Sequence, residues 1–483
     1  MTCLAKGALV VSVGIAIAGS VIRCTLASGS ATAPQAAPKA EPTPASSVRP
    51  NVLLIVIDTL RRDRLGCYGY GGGTSPRLDR FAADALLFER CLAPSGWTEP
   101  STASLLTGLY PTRHGCHEYA VLPAELELVS ERLQSVGYRT IGVSGNPNAS
   151  PQFGFDQGFD AFWFDQNDKA REYPDVSELV AHAEALLAQD DDRPTFLYLH
   201  LMNVHGPYLT PGAWRDRFRR PGARDFPFQN EVWKDVMRKG MVERRAEVTP
   251  ADIADLEARY DAAVAYTDDV VGRFLERRRA TAAGRDELVV VTSDHGEELF
   301  DHGGFGHGFT LQAEIVDVPL LIRPPAGGAG RRIDTPVSLV DLPATLLEHL
   351  GALPPEAQGR LGDGMSLWPL VDGREFERDL PLVSHLERGK QGSAFLLQSW
   401  PLRLIETGHD YSGRSGVAEL FDQATDAAER VDLLVRDPER SAQLRALLAA
   451  RRAALEAQGL AAQRVPLSDD QRRQMAALGY GDG

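Results

Sequence analysis

Residues 52–57 read VLLIVI, and this run meets a charge at once, at Asp58. A segment apolar at every position, with no alternation, is buried on both faces, which describes a central strand of a parallel sheet covered by helices on either side. Comparable runs recur at 196–201 (FLYLHL), 288–292 (LVVVT) and 319–322, with helical patterns such as residues 252–278 between them. That alternation predicts an α/β fold, a mostly parallel central sheet flanked by helices. There is no internal repeat. At 483 residues the chain exceeds a single core, which stops growing near roughly 250 to 300 residues. A smaller C-terminal α+β lobe is therefore expected. Its signs are short strand-like patterns at 382–404 and an Ala/Leu/Arg-rich amphipathic helix at 438–460. The expected boundaries are 49–375 for the main domain and 376–483 for the lobe.

The N-terminus differs in kind. Lys6 precedes an apolar run at residues 8–22, and Ala27, Ser28 and Ser30 follow it, the layout of a signal peptide over residues 1–30. The run is short for a membrane span of about 20 residues, although with Leu4 and Ala5 an uncleaved anchor stays open. Residues 31–48 are Ala/Pro/Ser-rich and read as a linker. Export to the periplasm or the extracellular space follows. Beyond the linker only Cys67, Cys91 and Cys116 remain, which implies no disulfide framework. A net charge of -15 without a basic stripe argues against nucleic acid or an anionic bilayer surface as partner.

In parallel sheets ligands gather at the carboxyl ends of the strands, where Asp58, Asn203 to His205 and Asp294 to His295 all fall. Alone, Asp58 is equally a helix N-cap. The segment Ser293-Asp294-His295-Gly296-Glu297 changes that reading, because a carboxylate beside an imidazole at a strand end presents ligands to a divalent cation. Adjacent residues converge on one ion only from a loop, which Gly296 permits. Between these motifs, Thr98 precedes a helix expected to start near Ser101, and a helix N-terminus favours an anionic ester. Without its neighbours Thr98 would read as a cap. Glu297 and His302 are given loop roles, and residues 190–192 a solvated turn.

Residues 100–115, PSTASLLTGLYPTRHG, resemble the sulfatase signature, in which a cysteine or serine precedes Pro-Ser-Arg, a spacer and Leu-Leu-Thr-Gly. The register of Pro100, Ser101 and Thr107-Gly108 puts Thr98 at the nucleophile and Thr102 at the arginine. Further resemblance to this family of the alkaline-phosphatase superfamily runs through residues 49–70, 198–208, 260–269, 293–308 and 337–351, and through Leu420-Phe421-Asp422 and residues 477–480. The resemblance implies that Asp58, Asp294, His295 and the Thr98 oxygen hold a metal, and that His205 contacts the ester oxyanion. His307 stands where many sulfatases have a lysine.

The departures from the family pattern redirect the chemistry. Sulfatases need a cysteine or serine there to be oxidised to formylglycine; threonine carries an extra methyl and must act as it stands. Cys91, in Cys-Leu-Ala-Pro-Ser, is out of register for that maturation. Thr59 replaces the second Asp of the usual pair, which favours Zn²⁺ or Mn²⁺ over Ca²⁺, while the oxygen donors leave all three open. Asn203 favours a single ion. Asn146 and Asn148 occupy the region of the sulfate-binding lysine and histidine, which shifts weight toward phosphate and phosphonate esters. The expected activity is hydrolysis of an anionic ester, the substrate a glycan or an envelope component. The competing readings are a transferase of phospho-substituents in the cell envelope and a non-catalytic glycan-binding protein.

Overall fold

The central strands are β1 (Val52–Ile57), β2 (Leu86–Leu92), β3 (Arg139–Ser144), β4 (Ala161–Phe164), β5 (Thr195–Leu201), β6 (Leu288–Thr292) and β7 (Asp317–Arg323). In this computed structural model, which describes residues 49–483 except 165–172, 221–247, 282–285, 326, 390–391, 411–413, 469–471 and 473–483, they lie in the order β4-β3-β5-β1-β6-β7-β2. The apolar run at 8–22, the linker and residues 477–480 fall outside the described residues. Short pieces at residues 332–333 and 337–338 pair with β2 and complete a nine-stranded sheet among the described residues.

Every residue of β1 is buried, and it pairs in parallel with β5 on one side and β6 on the other. Val52, Leu54 and Val56 enter one apolar core while Leu53, Ile55 and Ile57 enter a second on the opposite face. This is the physical content of the unbroken VLLIVI run: side chains alternate, and both faces are covered. Leu105 and Leu106 of α1 (Thr98–Thr107) and Leu342 and Leu346 of α2 (Asp341–His349) line the first core. Tyr260 and Phe274 of α3 (Pro250–Ala280) line the second.

β7 runs antiparallel to both β6 and β2, so it stands apart from the parallel strands the sequence pattern grouped it with. The reason is the connection. Residues 293–316 contain no crossover helix, only a four-residue turn of helix at Ala313–Val316, and a return without a crossover leaves an antiparallel neighbour. The loop therefore stays at the edge where β1 and β6 end.

The C-terminal strands β8 (Leu382–Glu387), β9 (Ser393–Ser399), β10 (Leu402–His409) and β11 (Ser415–Asp422) form an antiparallel meander. Its one face takes Leu444, Leu448 and Leu455 of α4 (Pro438–Glu456). Its other face sends Leu386, Leu396 and Ile405 into the first core. The described residues from 49 onward accordingly form one compact unit. Among the described residues no helix is long and apolar enough to cross a membrane.

Candidate active site

Asp58 leaves the end of β1, and Asp294 and His295 leave the end of β6, all fully buried. One ligand atom from each lies within 4.8 Å of the other two. Gly296 makes the approach possible in a way the sequence did not suggest: a Cβ there would sit 2.0 Å from the Glu314 carbonyl oxygen. Close packing, rather than a left-handed turn, requires the glycine. Thr59, next to Asp58, has φ 57, a costly conformation for a β-branched residue. It is held by its own hydroxyl, which donates to the Asp58 carbonyl at 2.7 Å, and by Tyr260, whose hydroxyl donates to the Thr59 carbonyl at 2.7 Å.

Burial would raise the Asp58 carboxyl, but the hydrogen bond with His200 and the charges of His205, His200 and His295 outweigh it and hold the group well below the usual carboxylate range. Asp294 is raised, first by burial and then by the Asp58 charge. The two carboxylates thus repel one another inside the protein. Asp58 Oδ1 and Asp294 Oδ2 are buried and accept no hydrogen bond from the described residues. Two orphaned oxygens beside an imidazole fit a divalent cation, which would satisfy both and cancel their repulsion.

Helix α1 begins at Thr98, earlier than the expected start near Ser101, because Ser101 N–H already bonds the Trp97 carbonyl at 3.1 Å. Pro100 is tolerated in that first turn, where an N–H has no helical partner. Thr98 is fully buried, with Oγ1 3.1 Å from His295 Nε2. Asn146 Nδ2 donates to Thr98 Oγ1 at 3.3 Å and also to Asp58 Oδ2. His295 Nδ1 faces the Gly296 carbonyl at 2.9 Å, so the hydrogen resides on Nδ1 and Nε2 accepts from the threonine hydroxyl. Ser101 Oγ donates to the Asp294 carbonyl at 2.6 Å and ties the helix to the loop that carries Asp294 and His295.

Opposite lie two further imidazoles, the rings of His205 and His307 4.8 Å apart and those of His295 and His307 4.5 Å apart. Burial pushes both His205 and His307 down from the ordinary histidine value. Glu297, given only a loop role from sequence, is buried with Oε1 2.9 Å from His307 Nδ1, and burial pushes its carboxyl up to about 7. His302 does serve the loop, its Nδ1 2.7 Å from Glu314 Oε1.

A family model for the sulfatases matches residues 50–352. The chain belongs to the sulfatase family. A sulfatase of Formosa agariphila is 22% identical over 436 residues, 80% of this chain and 83% of that protein. The multifunctional alkaline phosphatase superfamily protein PehA of Trinickia caryophylli is 26% identical over 409 residues, 68% of this chain and 78% of its own. Among solved structures, the phosphonate monoester hydrolase of Agrobacterium radiobacter superposes with a TM-score of 0.66 at 22% identity, covering 85% of this chain and 96% of that one. A structure in complex with its substrate D-glucosamine-2-N,6-O-disulfate superposes with a TM-score of 0.69 at 18% identity, covering 85% and 98%.

The chain is thus a sulfatase-family ester hydrolase, and enzymes of this family and superfamily use a divalent metal ion. The residues expected from the motifs, Asp58, Thr98, Asp294, His295, His205 and His307, all reach one buried site of this sulfatase fold. Asn203 does not: its amide accepts from Val176 N–H at 2.5 Å and donates to the Leu209 carbonyl at 3.0 Å, bracing the chain after β5. His200 is the residue sequence reasoning missed. Its Nε2 is 3.1 Å from Asp58 Oδ2 and its Nδ1 is 2.7 Å from the Tyr198 hydroxyl. The available signal was an imidazole inside the apolar FLYLHL strand, paired in register with Val56.

Proposed function

We propose that this sulfatase-family chain hydrolyses an anionic sulfate, phosphate or phosphonate ester with Thr98, unmodified, as the nucleophile. The observation that carries the reading is the environment of Thr98 Oγ1, at a helix N-terminus between Asn146 Nδ2 at 3.3 Å and His295 Nε2 at 3.1 Å. Asp58, Asp294 and His295 would hold a single divalent ion, and two carboxylates with one imidazole suit Zn²⁺ or Mn²⁺ better than Ca²⁺. When bound, it lowers the cost of ionising the threonine hydroxyl and neutralises charge on the ester.

The chain's own groups do the rest. Asn146 orients the Thr98 oxygen, and the free N–H groups of the first turn favour the anionic group in front of it. The threonine oxygen bonds phosphorus or sulfur as its proton passes to water, and the bond to the leaving oxygen breaks, that oxygen taking up a proton and departing as the alcohol. His205 and His307 face the oxygens that gain charge, and Glu297 orients the His307 ring through Nδ1. Water then cleaves the threonyl ester.

The apolar run at residues 8–22 supports an exported enzyme acting on a glycan or envelope ester. Thr98→Ala should lower kcat on the order of 10³-fold or more with stoichiometric metal retained, and the Thr98 peptide of the wild type should carry a phospho- or sulfo-adduct after a denaturing quench. Full turnover by the alanine variant would end the proposal.

A further inference from the structure

We infer that Arg388, carried by the C-terminal sheet, is a positioning residue that sets the separation of Thr98 and His307 by clamping the residues beside them. The inference rests on the reading of Thr98 as nucleophile. Arg388 follows β8 directly, and its N–H bonds the Gly392 carbonyl at 2.8 Å, closing the hairpin toward β9. Its side chain is 1% exposed. The guanidinium carbon lies 3.5 Å from the centre of the Trp97 ring and 5.5 Å from that of Phe309, and Nη1 donates to the Gly308 carbonyl at 3.4 Å.

Two of these contacts flank the chemistry. Trp97 immediately precedes Thr98, and Gly308 immediately follows His307. The Trp97 and His307 rings are themselves 5.7 Å apart. Gly308 has φ +77, and a Cβ built on it would sit 2.6 Å from Arg388 Nη1 and 2.7 Å from Trp97 Cε3. The glycine is thus pressed into the notch between indole and guanidinium, so none of the three shifts alone. A flat guanidinium can stack and bridge in this manner, whereas a lysine ammonium is a hydrated point charge on a flexible stem. Displacement of a reacting group by about 1 Å can cost about 10²-fold in rate.

The test uses the full chain with metal and three variants, Arg388→Met, Arg388→Lys and Gly308→Ala, assayed on an aryl sulfate and an aryl phosphodiester. Arg388→Met and Arg388→Lys should each lower kcat by about 10²-fold with KM changed less than threefold, the size set by misplacement. Gly308→Ala keeps the arginine and strains the same contact, so it should give the same signature if the methionine variant does not fold. Adding Trp97→Phe to Arg388→Met should lower kcat no further, because both remove one clamp.

Full kcat in Arg388→Lys, losses that multiply in the double variant, or a raised KM at unchanged kcat would each overturn the inference. The last would mean that Arg388 meets the substrate itself. Rapid quench separates this proposal from its premise. Absence of any Thr98 adduct in the wild type sinks the nucleophile reading, whereas equal rates of adduct formation in wild type and Arg388→Met sink the clamp.

Discussion

His200 shows how a residue outside the candidate ligand group of Asp58, Asp294 and His295 shapes it. Its imidazole bridges the Tyr198 hydroxyl and the Asp58 carboxylate, which fixes the carboxylate's rotamer and leaves Oδ1 open toward Asp294 and His295. Partners of this kind are worth about 10- to 100-fold in metal affinity. His200→Ala should therefore weaken Zn²⁺ or Mn²⁺ binding by about that factor, measured by competition with a chromogenic chelator. Undiminished affinity would show that Asp58 needs no such support. Asn148 poses the complementary case: its backbone N–H donates to Asn146 Oδ1 at 2.7 Å, yet both polar atoms of its own buried amide make no hydrogen bond with the described residues. The motif comparison placed both asparagines in the sulfate-binding region, but only Asn146 touches Thr98 and Asp58. That division comes from a three-residue 3-10 turn at Pro147–Ala149, which no pattern in the sequence announced.

At the scale of elements, helix α1 and the turn that follows it hold Thr98, the proposed nucleophile, through buried polar contacts. Glu99 accepts from Tyr119 N–H at 2.9 Å and Ala120 N–H at 2.6 Å. His114 Nδ1 accepts from Cys116 N–H at 3.0 Å, so the ring's hydrogen sits on Nε2, 3.0 Å from Ser104 Oγ and 3.2 Å from the Pro100 carbonyl. Protonating Nδ1 would set two donors against each other. Burial, with the His117 charge second, pulls His114 down to about 3 from 6.5. A depressed folded-state value means stability that is complete above pH 6.5 and lost as pH falls toward about 3. The loss is about 1.4 kcal/mol for each pH unit below the unfolded value. His114→Gln, which keeps an acceptor and a donor but does not titrate, should flatten this limb in denaturant titrations from pH 7 to 4. Parallel curves for variant and wild type would refute the assignment.

For the whole molecule, the divalent ion would join the ends of β1 and β6 across the centre of the sheet. The native protein alone presents Asp58, Asp294 and His295 together, so metal should stabilise it by mass action, about 2.7 kcal/mol at a concentration one hundred times Kd. The Tm should rise with Zn²⁺ or Mn²⁺ and fall with a chelator, and Asp58→Asn should abolish the shift; a shift that survives this substitution places the ion elsewhere. Much of this architecture was legible in the residues. A short unbroken apolar run rich in β-branched residues reads as a strand buried on both faces, and a charge at its end falls where the strand leaves the sheet. VLLIVI followed by Asp58, and LVVVT followed by Ser293-Asp294-His295, thus pointed to the sheet and, taken together, to a cluster of candidate ligands. The resemblance to the sulfatase signature also singled out Thr98 as the candidate nucleophile. Tertiary structure alone decided what meets across long separations. It reversed β7, because the loop between 293 and 316 lacks a crossover helix. It aimed His200 at Asp58, joined Glu297 to His307, and set Arg388 of the C-terminal sheet against Trp97. Such pairings leave no periodicity in a chain, since each depends on where two distant backbones are brought by the packing of everything between them.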